Sequence, residues 1–426
     1  MNRRGWLKWS LGGILAAVCL FIVLGVDGRL TVLPLKHGFP RWASIGEAVA
    51  KGDLADVKRH LGCFASIDQT DEQGNTLLHL AAASGRNAVA QYLAARMKDI
   101  NAPNGEGETP LHLAAARGKS ESARFLVESG ADGAARDRHG RTPLHHACMD
   151  AAVQEATLVR FLIESGCAVD ARGDDGWTPL HLAARASAAT DVTALLGKGA
   201  RFDLKIDEGD FPVDLAYRNH LYEEPSSRRI VKTLLDAGSP CNLHQAVLAD
   251  DRVKAKAILA DASGRIDARD REGWTALHVA AYHGRYGLVD ALVKAGADLE
   301  AGVWNGRTPL MFALMQNQND TARALISLGA NVRARTRADS TVLHQIGGEI
   351  SRSLVKHLLD RGADGSAVNK QGQTPLHRAA LLGRTDLVEL YLRGGGDPQA
   401  RDIRGQTALS IAARRNDRAM VDLLER

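Results

Sequence analysis

The chain has 426 residues, 45% apolar and 24% charged, which is enough for a sizeable core and excludes a mostly disordered chain. Its 12 prolines and 5 cysteines are too few for a collagen or a disulfide scaffold, and a charge balance of +4 implies no nucleic-acid or membrane surface by itself. With 42 glycines but only 5% aromatic residues, the core must be built from Leu, Val, Ile and Ala, and the glycines need a structural use.

Residues 1–8 form a basic tail with Arg3, Arg4 and Lys8, and the run Leu11 to Val26 carries no charge. Counted from Trp9, the segment 9–26 is about 18 residues, or roughly 27 Å of helix, near the lower limit of a membrane span. The expectation is an uncleaved transmembrane signal-anchor over 9–26; a cleaved signal peptide and a buried helix are the alternatives. No A-x-A-like cleavage site follows the run, and Val18 stands where a lipidation site at Cys19 needs a small residue. Arg3, Arg4 and Lys8 nearly balance Arg29, Lys36 and Arg41 across the span. The early basic cluster still favours a single-pass protein with its bulk outside, on the periplasmic face if the source is bacterial. A soluble periplasmic or secreted form and a cytoplasm-facing scaffold remain the alternatives. Residues 27–42 read as a linker.

Beyond the linker one phrase recurs. Thr109-Pro110-Leu111-His112-Leu113-Ala114-Ala115 returns at Thr142, Thr178 and Thr374, with weaker copies at Thr76, Thr275, Thr308, Thr341 and Thr407. Phe211 and Cys241 open units with other residues in the same slots, and Ala43 opens a first unit that places Ile45 in the leucine slot. The starts 43, 76, 109, 142, 178, 211, 241, 275, 308, 341, 374 and 407 are mostly 33 residues apart. Threonine suits a helix N-cap and proline the first helical position. Small alanines allow close stacking, while the glycines end helices and make turns.

The phrase TPLH-x-AA with its downstream Gly-Ala-Asp resembles the ankyrin repeat, in about 11–12 copies over residues 43–426. The resemblance implies an all-α solenoid in which each unit is a pair of antiparallel helices followed by a β-hairpin finger. It also implies that the histidine of each phrase makes structural hydrogen bonds between adjacent loops. Polar residues in the first and last units read as caps. The rhythm breaks between Asp214 and Pro240, where a finger is missing. Either the stack absorbs an indel, or the array bends or divides near 238–244.

Little in the sequence points to chemistry. There is no phosphate loop, HExxH, GxSxG or CxxC in the repeats, and no polar constellation leaves the register. The expectation is therefore no enzyme, no cofactor and no small-molecule substrate. The stretch His139, His145, His146 and Cys148 is the one place where a metal or an enzyme site could be sought, but His145 already has a structural role. Cys148 and Cys167 share a unit and could pair in an exported protein, although buried thiols are the default.

The resemblance implies protein partners, bound through the finger tips and the adjoining face of the first helices, and the free slots of the repeat would carry the specificity. Units 275 to 374 hold the richest set. The fingers supply Arg269, Arg271, Trp274, Trp304, Asn305, Arg335, Arg337 and Lys370; the helix slots supply Tyr282, His283, Met315, Leu381 and Leu382. Trp, Tyr and Arg are enriched at interface hot spots, and a contact surface for an acidic-rimmed protein follows. The alternative is that the rings pack between fingers. Arg136, Arg138, His139, Trp177 and Arg185 form a second, weaker set. Tip arginines interleaved with Asp137 and Asp270 argue against a nucleic-acid groove.

Overall fold

The computed structural model describes residues 23–24, 30–31, 44–63, 65–150, 156–219, 224–261 and 266–425. The segment expected to span a membrane, 9–26, lies outside these apart from Val23–Leu24, a short strand antiparallel to Leu30–Thr31. Among the described residues no helix is long and apolar enough to cross a membrane.

The rest is helix pairs, in two compact units that divide between Gly209 and Asp210, ahead of the break at 238–244. In the first unit the pairs run from Ile45–Lys51 with Leu54–Cys63 to Pro179–Arg185 with Ala189–Gly197. In the second they run from Pro212–Arg218 with Glu224–Asp236 to Ala408–Arg414 with Arg418–Leu424. The first helix is N-capped by Ser44, one residue later than the repeat phase puts it. Asn242 likewise caps Leu243–Leu248, soon after the preceding helix ends at Asp236, so no finger separates these two helices. Close stacking follows from side-chain size: Ala81, Ala82, Ala114, Ala115, Ala280, Ala281, Ala379 and Ala380 are all fully buried.

The fingers are turns rather than β-hairpins. Beyond Val23–Leu24 and Leu30–Thr31, pairing among the described residues is limited to the isolated bridges Thr70–Thr76 and Arg335–Thr341. An Asp or Asn folds most tips: Asp71, Asn104, Asp137, Asp270, Asn369 and Asp402. Asp71 Oδ1 accepts from the backbone N–H groups of Gln73 and Asn75, at 3.0 and 2.8 Å. Neighbouring tips are joined by single backbone bonds, such as Arg138 N–H to the Glu106 carbonyl at 2.9 Å and Arg337 N–H to the Asn305 carbonyl at 3.0 Å.

The phrase histidines tie the repeats together. His112 Nδ1 accepts the Thr109 backbone N–H at 3.0 Å, while Nε2 meets the Arg141 carbonyl at 3.0 Å. An amide N–H can only donate and a carbonyl can only accept, so the ring is the neutral Nε2–H tautomer. His79, His145, His344 and His377 repeat the arrangement, their Nε2 atoms 2.9 to 3.1 Å from the next finger's carbonyl.

One unit departs from the pattern. The first helix at Thr341 is only a 3-10 turn, Val342–Gln345, after which Ile346 is extended. Gly347 explains the early stop. Its N–H bonds the Leu314 carbonyl at 2.9 Å, and a Cβ there would lie 2.6 Å from the Met315 carbonyl oxygen. The chain is pressed against the preceding helix too closely for any side chain.

Candidate functional site

The position four residues after each phrase threonine lies on the first helix of its unit. Most units place an apolar residue there: Leu80, Leu113, Leu182, Val279, Phe312 and Ile411. Glu47, His146 and Gln245 stand there singly, whereas two neighbouring units of the second compact unit place Gln345 and Arg378. The shortened turn at 342–345 opens the wall beside them. The result is a trough of about 720 Å³ bordered by Arg307, Met315, Gln345, Arg378, Leu381 and Arg414, among others. A smaller recess of about 270 Å³ shares Arg307, Ala338, Ser340 and Gln345 and carries the trough to Trp304.

The arginines are held in place without being neutralised. Arg378 donates through Nε and Nη2 to the Ile346 carbonyl, at 3.0 and 2.8 Å. That carbonyl is available because the helix has already ended. Arg307 Nε donates to Gln345 Oε1 at 3.0 Å, and Arg414 Nη2 to Gln406 Oε1 at 2.7 Å. Each acceptor is a neutral amide oxygen. Partial burial lowers the pKa of both Arg307 and Arg378, and no carboxylate offsets it. Elsewhere in the same unit arginines are paired with acids, as in Arg384–Asp386 at 2.7 Å and Arg352–Glu389 at 3.0 Å. The acid at the trough, Asp402, is buried and turned into its own finger, where it accepts the Arg404 and Gln406 N–H groups.

Several residues singled out from the sequence sit differently from expectation. Trp274 is not an exposed finger residue. It is 6% exposed, with its ring 4.5 Å from Phe312, 5.2 Å from Tyr282 and 6.2 Å from His278 between centroids. It stands one residue before its threonine, and that slot folds inward over the helices instead of out along the finger. His283 is buried as well, edge-on to Tyr282 at 4.8 Å, and Tyr282 is half-buried. These three are core. Trp304, four residues before its threonine, is 72% exposed at a tip.

Arg269 and Arg335 are struts. Arg269 Nη1 donates to the Gly273 carbonyl in its own finger and to Gly302 in the next, at 2.7 and 3.0 Å. Arg335 spans Asp339 and Val368 in the same way. Arg136, from the weaker set, bridges Gly140 and Arg172. The slot six residues before the threonine is therefore structural. Arg271 reaches Asp210 at 3.3 Å, and Lys370 Nζ donates to the Arg337 carbonyl at 2.7 Å. Arg337 is exposed, and Asn305 Oδ1 accepts the Arg307 N–H. Met315 and Leu381 border the trough, Leu381 at 53% exposure, and Leu382 is half-buried beside it. In the weaker set Arg138 lies 3.8 Å from Glu106, His139 is exposed, and Arg185 stands 5.3 Å from the Trp177 ring. The sequence reading passed over Arg307, Gln345, Phe312, Arg378, Ile403 and Arg414.

The His139–Cys148 stretch does not assemble a site. His145 is held in its cap, and His146 Nε2 lies 2.9 Å from Asp137 Oδ2. Cys148 is fully buried, its thiol pushed well up by burial, and Cys148 and Cys167 are both free thiols. Among the described residues no group of three or more His, Cys, Asp or Glu side chains could hold a metal ion.

Beside Cys148, Asp191 has no solvent exposure, and burial raises its pKa to about 6, the Thr190 hydroxyl offsetting part of this. A carboxyl with a raised folded pKa stabilises least above that pKa, so ionised Asp191 costs the fold at neutral pH. Asp191→Asn is expected to raise stability by about 1–3 kcal/mol at pH 8 and to converge on the wild type near pH 4. Urea unfolding at the two pH values checks it.

A family model described as ankyrin repeats (3 copies) matches residues 45–137, 133–206, 226–336 and 343–425. Among curated proteins, the neurogenic locus notch homolog protein 1 of Xenopus tropicalis is 29% identical over 142 residues, covering 32% of this chain and 6% of the relative. The notch homolog protein 2 of Homo sapiens and that of Mus musculus are each 31% identical over 144 residues, with the same coverage. The chain thus spans only a small fraction of these relatives' length.

Proposed function

Because the chain belongs to the ankyrin-repeat family, we propose that it binds another protein through the inner face and fingertips of its second compact unit, between Trp304 and Arg414. The single observation that carries this reading is the trough. It places unneutralised arginines beside exposed apolar side chains in one continuous concavity, where hot-spot residue types are desolvated together. The first unit is less apt, because its weaker set is engaged in an ion pair, a strut and a cation–π contact.

The charge-free run over 9–26 behind Arg3, Arg4 and Lys8 supports a membrane tether, and the early position of that cluster supports a repeat array on the outer side. In that setting the protein would serve as an envelope scaffold, a stress-linked partner or a neutraliser of an incoming toxin. A reporter active on one side of the membrane only, fused after Arg426, tests the orientation. Activity on the inner side would turn the reading to a cytoplasm-facing scaffold.

Co-purification of the full chain from membranes tests the binding face. Wild type is expected to bring down a partner that Trp304→Ala and Leu381→Ser recover at least fivefold less well, at unchanged thermal stability. Equal recovery by both variants would remove the face from consideration.

A further inference from the structure

The trough has a chemical bias that goes past protein binding in general. Arg307 and Arg378 are anchored on the adjacent residues Gln345 and Ile346, and both line the same trough. Arg378 uses Nε and Nη2 on one carbonyl, which leaves Nη1 uncommitted; Arg307 uses Nε alone, which leaves both terminal nitrogens. A planar guanidinium fixed at one edge and free at another presents donors in the geometry that a carboxylate accepts. Arg404, exposed at the next fingertip, has no side-chain partner among the described residues, and Arg414 closes the same end. The basic path is flanked by apolar groups: Trp304 at one end, Met315 and Leu381 along it, and Ile403, 72% exposed, at the other.

We propose that the trough takes an extended acidic segment of the partner protein, whose carboxylates pair with Arg307 and Arg378 while its apolar side chains rest on Trp304, Met315 and Leu381. This deepens the binding face proposed above and rests on it. Charge complementarity selects the occupant. Four arginines face one buried aspartate, and that aspartate is already engaged by its own finger. A half-buried guanidinium bonded only to neutral oxygens gains most from an incoming carboxylate. A nucleic acid fits less well. Its phosphates need a continuous cationic track, whereas here amide and apolar side chains separate the arginines.

The test uses the full chain in detergent and three fluorescein-labelled probes read by anisotropy. The first is a dodecapeptide repeating Glu-Glu-Leu-Gly, the second is its Gln-Gln-Leu-Gly counterpart, and the third is a twelve-base oligothymidylate. The acidic peptide is expected to bind at least tenfold more tightly than the neutral one and to weaken as salt rises. Arg307→Gln and Arg378→Gln are each expected to cost about tenfold, the loss of one charged hydrogen bond. Arg404→Gln, an exposed side chain whose loss leaves folding untouched, is expected to cost about threefold.

Equal binding of the acidic and neutral peptides, or no saturable binding of the acidic one, overturns the proposal, as does tighter binding of the oligonucleotide. Should Trp304→Ala weaken both peptides alike while the arginine variants do nothing, the acidic assignment falls and the binding face stands. Should none of these substitutions alter the binding of either peptide, the face itself is misplaced.

Discussion

Acidification from pH 6.5 to 4 is expected to destabilise the repeats progressively, with the steepest loss inside that window. Burial lowers the pKa values of His112, His145 and His278 from 6.5 to about 4, against only partial support from the carbonyls they contact. The cause is the neutral tautomer. Protonation at Nδ1 would remove the acceptor that holds the Thr109 N–H and would put a charge in a fully buried ring. A folded pKa below the unfolded value means that the unfolded chain binds more protons between the two. Stability is therefore fully present above 6.5 and is lost as the pH falls toward 4. A shift of this size corresponds to roughly 3 kcal/mol or slightly more per histidine, a large share of the roughly 5–15 kcal/mol that holds a domain together. Asp191 works in the opposite sense between pH 3.8 and about 6 but is one group against three. Urea unfolding followed by circular dichroism at pH 7.5, 6, 5 and 4 reads the slope directly, and His112→Gln should flatten it. A midpoint unchanged between pH 7.5 and 4 would contradict the tautomer assignment.

The two tryptophans should separate sharply. Trp274→Ala is expected to cost about 3–5 kcal/mol, because it empties a site enclosed by Phe312, Tyr282 and His278. Trp304→Ala, whose ring is 72% exposed, should stay within about 0.5 kcal/mol of wild type. Thermal unfolding of the two variants measures the contrast. Comparable losses would mean that the exposed ring is packed after all; a negligible loss at Trp274 would remove the aromatic cluster from the core.

The sequence disclosed the repeat because the repeat is written in residue types with a single physical use: threonine caps, proline starts, alanine contacts and histidine struts. It misled at Trp274 because position within the period was taken to mean direction in space. The slot just before the threonine leaves the finger and turns over the helices. At Arg269 and Arg335 the same assumption mistook struts for free cations. The trough was hidden for a different reason. Arg378 and Gln345 occupy a slot that most units fill with Leu, Val, Phe or Ile, and two polar residues there in neighbouring units were the available signal. The slot lies neither on the fingers nor at the far end of the first helix, where the free positions were expected. Gly347 could not be read at all, since only the three-dimensional approach to Met315 shows why a helix must stop there.

A photo-crosslinking amino acid at position 304, compared with one at the exposed Val253, tests the binding face most directly. In the protein's own cells the account predicts a discrete crosslinked protein from position 304. It also predicts that Arg378→Gln suppresses that product and that position 253 yields none. Crosslinking from 253 with none from 304, or a product from 304 indifferent to Arg378→Gln, would contradict it.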